Sequence, residues 1–200
     1  MQDAQVAKVK TMNKDAKKTP FSLTQVLWTA AGLFLFGGGL LALSSRSDNL
    51  IDIAGVLGFI MLIAGTFNII VYCHKGKQIH SSHWLFADGL ATILLSLFPL
   101  FNQMILPVMI PFFFGVWELF SGVLKVIDSR ELKKEKIKCW QGFSAIGFIE
   151  LLSGAASMVK PVDDLVGINI VVAIILFVQG CGFILKAFMY SDLTDKNIRK

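Results

Sequence analysis

The chain has 200 residues, of which 54% are hydrophobic and only 16% are charged, and its formal net charge is +5. A soluble globular domain has about 25% charged residues, so this composition excludes an ordinary soluble domain and indicates a membrane protein. The partner that we expect is the lipid bilayer. Basic residues that orient the spans and contact anionic lipid explain the positive charge. Binding to nucleic acid need not be invoked.

In chain order, a lysine-rich polar tail comes before the first apolar segment. That segment is too long for the core of a signal peptide, so we expect an uncleaved first span. Five more apolar segments follow, each close to the roughly 20 residues that cross a bilayer. We predict a basic tail over 1–20, a transmembrane domain over 21–190 and a second tail over 191–200. The six predicted spans cover about 23–44, 50–72, 84–101, 104–127, 140–160 and 165–189.

An internal repeat organises these spans. Trp28, Trp84 and Trp140 are spaced by 56 residues, and each comes early in an apolar segment. A second set of markers, with spacings of 57 and 58 residues, consists of Gly65, Gly122 and Gly180. A fixed period of this length indicates a repeated supersecondary unit. The sequence therefore predicts an all-α membrane protein of six transmembrane helices, arranged as three tandem helical hairpins over about 23–78, 79–134 and 135–190.

The distribution of Lys and Arg predicts the topology. The first, third and fifth linkers together contain only two basic residues, Arg46 and Lys160. The termini and the other linkers, including a predicted loop over Asp128–Cys139, are rich in basic residues. They hold Lys8, Lys10, Lys14, Lys17, Lys18, Lys75, Lys77, Arg130, Lys133, Lys134, Lys136, Lys138, Lys196, Arg199 and Lys200. By the positive-inside rule, we expect both termini to be cytoplasmic.

Polar residues within the predicted spans are the sharpest functional signal, because they are costly in a bilayer. Glu150 lies near the middle of the fifth span. Pro111, Glu118 and Lys125 are spaced by seven residues, so they form one stripe on the fourth helix that should face protein. Pro111 cannot bond the carbonyl of residue 107, so we expect a kink there. Asp88 lies at a depth that Lys125 can reach from the neighbouring helix, and we predict an ion pair between them.

Neither Glu118 nor Glu150 has a basic residue at its own predicted depth. We expect both carboxyls to be neutral at pH 7, because hydrocarbon disfavours the charged form, so that exchange for Gln leaves the stability nearly unchanged. The two residues are interpreted as interhelical contacts, with a proton-linked role and substrate binding as alternatives. Asn68, Asn169 and Gln179 are expected to form hydrogen bonds between helices.

Patterns of common enzymes are absent from the sequence. It has no glycine-rich phosphate loop, no HExxH zinc motif and no GxSxG nucleophile motif. His74, His80 and His83 share one linker with Cys73, but their spacing matches no standard zinc pattern. We therefore expect no catalytic residue, no metal site and no cofactor.

Four segments resemble the repeated helix motifs of the HdeD family. They are Trp28–Gly38 and Trp84–Leu94, which begin odd-numbered helices, and Leu57–Ile69 and Phe114–Ile127 in even-numbered helices. The resemblance covers about 21–190. It implies a six-span protein of the bacterial inner membrane, built from short repeats of unknown function, in a family named after an acid-resistance protein. The resemblance supplies no catalytic residues.

Two functional hypotheses follow. The first is a non-enzymatic membrane protein of HdeD type, linked to envelope or acid stress. The alternative is a small transporter or channel subunit with a polar path along Glu118 and Glu150. A water-accessible cavity that reaches both carboxyls would favour the alternative, whereas a closed bundle with hydrogen-bonded carboxyls would favour the first. The substrate, the physiological trigger and the oligomeric state, including a homo-oligomer, stay open.

Overall fold

A computed structural model describes residues 23–45, 50–75, 82–101, 109–134, 136–137, 139–159 and 167–198. The regular structure of these residues is entirely helical. The helices are α1 (Leu23–Ser44), α2 (Leu50–Lys75), α3 (Ser82–Phe101), α4 (Met109–Lys134), α5 (Trp140–Ser157) and α6 (Ile168–Ile198). The prediction of an all-helical chain is confirmed.

Five of the six helices, α1 to α4 and α6, are long and apolar enough to cross a membrane. The chain is therefore an integral membrane protein with several spans. The exception is α5, which has 18 residues and includes Gln141, Glu150 and Ser153. These polar side chains lower its hydropathy, so a sixth span remains a prediction.

The predicted loop over Asp128–Cys139 is wrong in its first half, because α4 continues to Lys134. The helix continues because its buried face still has a partner, as Leu132 packs in a cluster with Phe143 of α5. It ends in a Schellman turn. The N–H of Ile137 donates to the carbonyl of Leu132 at 3.1 Å, and Lys136 has a φ of 57°.

The most extensive contacts join α1 to α6, α2 to α3 and α4 to α5. Each of these three interfaces has a glycine on both sides: Gly32 with Gly180, Gly65 with Gly89, and Gly122 with Gly147. A Cβ atom built on Gly65 would lie 2.9 Å from the carbonyl oxygen of Gly89, so the two backbones are in direct contact. Such close approach is how small residues stabilise helix pairs in a membrane.

The repeat-marking glycines therefore have one structural role in all three predicted units. Gly65, Gly122 and Gly180 each contact a helix of another unit. The helices within a predicted hairpin also touch, but less extensively than helices of neighbouring units. The arrangement of the helices as three tandem hairpins therefore stays a prediction. The most extensive packing of the bundle joins helices of different predicted units.

The repeat-marking tryptophans lie near the starts of α1, α3 and α5. Trp28 is buried, whereas Trp84 and Trp140 are partly exposed. We refer to the end of the bundle where these three residues lie as the tryptophan end, and to the opposite end as the far end.

Candidate functional site

The buried core changes character along the bundle. Its far end is mainly apolar and includes Leu57, Phe114 and Leu176. From mid-bundle towards the tryptophan end, the core contains buried polar and charged residues, among them nine from α2 to α6. This polar core consists of Asn68, Asp88, Thr92, Glu118, Ser121, Lys125, Glu150, Gln179 and Lys186. Burial of such groups costs free energy unless they are paired, so their contacts decide what the site can do.

The first cluster surrounds the ammonium group of Lys125 on α4. It forms an ion pair with Glu150 Oε1 of α5. It also donates to Ser121 Oγ at 2.7 Å and to Gln179 Oε1 of α6 at 3.0 Å. Lys125 and Glu150 are only 2% and 0% exposed. The side chain of Lys125 therefore contacts residues of α4, α5 and α6.

The second cluster surrounds the carboxylate of Asp88 on α3. Asp88 Oδ2 accepts hydrogen bonds from Lys186 Nζ of α6 at 2.8 Å and from Asn68 Nδ2 of α2 at 2.9 Å. The indole N–H of Trp28 on α1 donates to Asn68 Oδ1 at 3.0 Å. This chain of contacts joins α1, α2, α3 and α6, so the two clusters together involve all six helices.

The predicted ion pair between Asp88 and Lys125 is wrong. Asp88 pairs with Lys186, and Lys125 pairs with Glu150. The expectation that Glu150 has no basic partner is wrong for the same reason. The contact of Gly122 with Gly147 brings α4 against α5, so Lys125, three residues after Gly122, meets Glu150, three residues after Gly147.

Glu118 has a different environment. The hydroxyl of Ser153 donates to Glu118 Oε1 at 3.0 Å. Among the described residues, no hydrogen-bond partner contacts Glu118 Oε2 and no cation forms an ion pair with this carboxyl. The side chain is fully buried. Its neutral state at pH 7 stays a prediction. The same expectation for Glu150 loses its premise, because Lys125 forms an ion pair with that carboxyl.

The stripe of α4 faces protein as predicted, because Pro111, Glu118 and Lys125 are all buried. Pro111 lies in the first described turn of α4. The predicted kink involves residue 107, which lies outside the described residues and leaves the kink untested.

A small cleft lies beside the two clusters at the tryptophan end. Its walls are Trp84, Leu85, Asp88, Leu124, Lys125, Asp128, Phe143 and Lys186, and it has about 20 Å³ of room for water. That space can hold a single water molecule. Glu118 and Glu150 do not line this cleft, and Lys125 separates it from Glu150.

The histidine-containing linker lies mostly outside the described residues, and His80 is among those not described. His74 and His83 are exposed. Within the described ranges, His, Cys, Asp and Glu side chains form no group of three that could hold a metal ion. The expectation of no metal, cofactor or catalytic residue therefore remains untested for the whole chain.

Sequence reasoning identified six members of the polar core but missed the role of Lys186. The expected interhelical bonds of Asn68 and Gln179 are confirmed, and Asn169 forms none within the described part of the chain. One signal could have revealed Lys186: it lies seven residues after Gln179, the same spacing that separates Glu118 from Lys125. Both pairs therefore form polar stripes on even-numbered helices.

Comparison with known proteins agrees with an internal repeat. The family model described as a short repeat of unknown function, DUF308, matches twice, at residues 30–101 and 87–159. The starts of the two matches differ by one repeat period. No curated protein and no solved structure gives a significant match. Because the matches together cover more than half of its length, the chain belongs to the DUF308 family of short repeats.

Proposed function

We propose that the protein is a non-enzymatic component of the bacterial plasma membrane, of HdeD type, with a role in envelope or acid stress. The DUF308 match and the apolar helices support an integral membrane protein of this kind. The resemblance of the helix motifs to the HdeD family supports the stress role. In this proposal the tryptophan end faces the cytoplasm, because the helix ends there are the ones next to the basic linkers and the two termini in the sequence.

One observation carries the link to acid. Each of the two buried ion pairs joins a helix of one predicted unit to a helix of another. Protonation of Asp88 or Glu150 would leave Lys186 or Lys125 as an unpaired charge in the interior, which is strongly destabilising. The groups that face these pairs are Asn68 from α2, Ser121, Glu118 and Asp128 from α4, and Gln179 from α6. The packing of the bundle is therefore coupled to proton binding.

The transport hypothesis has less support. A transported ion would need a cavity that reaches the mid-bundle carboxyls. Glu118 and Glu150 are fully buried and are held by Ser153 and Lys125, and the cleft at the tryptophan end is lined by neither carboxyl. Burial of both carboxyls within the described part of the bundle favours the first hypothesis.

Acid survival of a bacterial strain that lacks the protein tests the proposal. Wild-type protein should restore survival, and Glu150→Gln, which imitates the protonated carboxyl and leaves Lys125 without its ion pair, should restore less. The matched control is Glu131→Gln on α4, where the side chain is partly exposed. This control should behave as wild type. Equal survival with and without the protein would refute the stress role, and proton flux in proteoliposomes above that of empty vesicles would favour transport instead.

A further inference from the structure

Three buried polar atoms of the core have no hydrogen-bond partner among the described residues. They are Glu118 Oε2, Glu150 Oε2 and Gln179 Nε2. All three side chains are 0% exposed. Buried polar atoms in proteins nearly always have a partner, either protein or ordered water, so three such atoms in one region require an explanation.

The side chains that carry these atoms are connected by hydrogen bonds. Glu150 Oε1 and Gln179 Oε1 both bind the ammonium of Lys125, which places their second polar atoms around the same cation. Glu118 is connected through Ser153, whose hydroxyl contacts both Glu118 Oε1 and the backbone carbonyl of Glu150. The site therefore lies between α4, α5 and α6.

The chemistry of the three atoms selects a ligand. Two carboxyl oxygens accept hydrogen bonds and one amide nitrogen donates. A water molecule, with two donors and two acceptors, complements this set. A metal cation would face the N–H₂ group of Gln179 and the positive charge of Lys125. An anion would face two carboxyls.

Lys125 lies between these side chains and the cleft at the tryptophan end. A Cβ atom built on Gly182 of α6 would lie 2.9 Å from Lys125 Cε and 3.4 Å from Glu150 Oε1, so the missing side chain leaves space for the lysine. Lys125 also lines the cleft at the tryptophan end. Lys125 therefore contacts both the cleft and the carboxyl and amide groups of Glu150 and Gln179 behind it. Towards the far end, the fully buried Phe114 and Trp117 close the bundle.

We propose that Glu118, Glu150 and Gln179 form a buried water-binding site behind Lys125, and that this site exchanges water with the cleft at the tryptophan end. The site exists whether or not the protein acts in acid stress. It would give the mid-bundle carboxyls contact with solvent protons although their side chains are not exposed. Water exchange at this site is also the property that would favour the transport alternative.

Water-to-amide magnetisation transfer by NMR tests this site in the full-length protein, labelled with ¹⁵N-Gln and ¹⁵N-Trp in detergent micelles. The side-chain N–H₂ of Gln179 should receive magnetisation from water at a level comparable with the exposed Gln141. The internal dry reference is the indole N–H of Trp117, which is buried and donates to Thr92 Oγ1 at 2.9 Å. The Gln179 signal should exceed that of Trp117 several-fold.

Assignment of the Gln179 signal rests on its loss in Gln179→Leu, and on sequential assignment along α6 should that variant fail to fold. A transfer to Gln179 no stronger than that to Trp117 would overturn the site. So would a high-resolution structure in which a side chain occupies the space between the three atoms. Neither result depends on acid survival, so failure of the site and failure of the stress role are distinguishable.

Discussion

At the scale of single residues, long side chains connect helices of different predicted units. Lys125 reaches Glu150 in the third predicted unit, and Lys186 of that unit reaches back to Asp88. The sequence could predict that these residues are buried, because each charge interrupts an apolar segment. It could not predict the pairing, because a lysine can reach over more than one helical turn. Which carboxylate it meets depends on which helices are in contact.

A double-mutant cycle should measure the observed pairing. Lys125→Met leaves Glu150 without its cation and should lower the free energy of unfolding by about 3–5 kcal/mol. Glu150→Gln should cost much less in the Lys125→Met background than in the wild type, because the pair is already lost. Unfolding in mixed micelles would give the free energies.

The control cycle combines Asp88→Asn with Lys125→Met. These residues share a cleft but form no ion pair. We expect their coupling to be smaller than that of Lys125 with Glu150 and than that of Lys186 with Asp88. The largest coupling for Asp88 with Lys125 would contradict the structure and restore the pairing first expected from the sequence.

At the scale of the elements, hydropathy predicts the apolar part of each helix better than its end. The predicted and observed starts of α1, α2 and α5 agree, whereas α4 and α6 continue past their apolar segments to Lys134 and Ile198. The physical reason is that hydropathy indicates only where the hydrocarbon of the membrane ends. A helix ends where its last backbone carbonyls have a hydrogen-bond partner outside the helix. In α4 that partner is the turn at Lys136.

The glycine contacts give a prediction for a helix interface. A Cβ atom at Gly122 would lie 2.8 Å from the carbonyl oxygen of Gly147 and 3.0 Å from the backbone nitrogen of Leu151. Backbone atoms cannot move aside as a side chain can, so Gly122→Ala should separate α4 from α5. We expect a loss of about 1–3 kcal/mol in the free energy of unfolding.

Gly37 of α1 is the matched control, because a Cβ atom there meets nothing within 4 Å. Gly37→Ala should leave the stability unchanged or raise it by up to about 1 kcal/mol, through the better helix propensity of Ala. Equal destabilisation by both substitutions in detergent unfolding would show that the glycines matter for helix flexibility rather than for close packing.

At the scale of the whole molecule, orientation in the membrane is still a prediction from the basic residues. Reporter fusions after Arg46, Lys77, Gln103, Lys134 and Lys160 should be periplasmic, cytoplasmic, periplasmic, cytoplasmic and periplasmic in turn. This alternation requires α5 to cross the bilayer despite its polar residues. A periplasmic reporter after Lys134 would contradict the orientation, and a cytoplasmic reporter after Lys160 would show that α5 does not span.

The contact between α1 and α6 has a consequence for the order of the chain. Gly32 and Gly180 are in contact at this interface. Gly65 with Gly89 makes the same kind of contact between α2 and α3, and Gly122 with Gly147 makes it between α4 and α5. The bundle is thus a ring in which the first helix is the neighbour of the last, and no interface depends on where the backbone is cut. A circular permutant that begins at Ser82 and joins residue 198 to residue 23 through a flexible linker should insert and fold. Its thermal unfolding in detergent should match that of the parent. The control is the parent chain with the same linker appended. If this control folds and the permutant does not, chain order is needed to specify this architecture in addition to the ring of contacts.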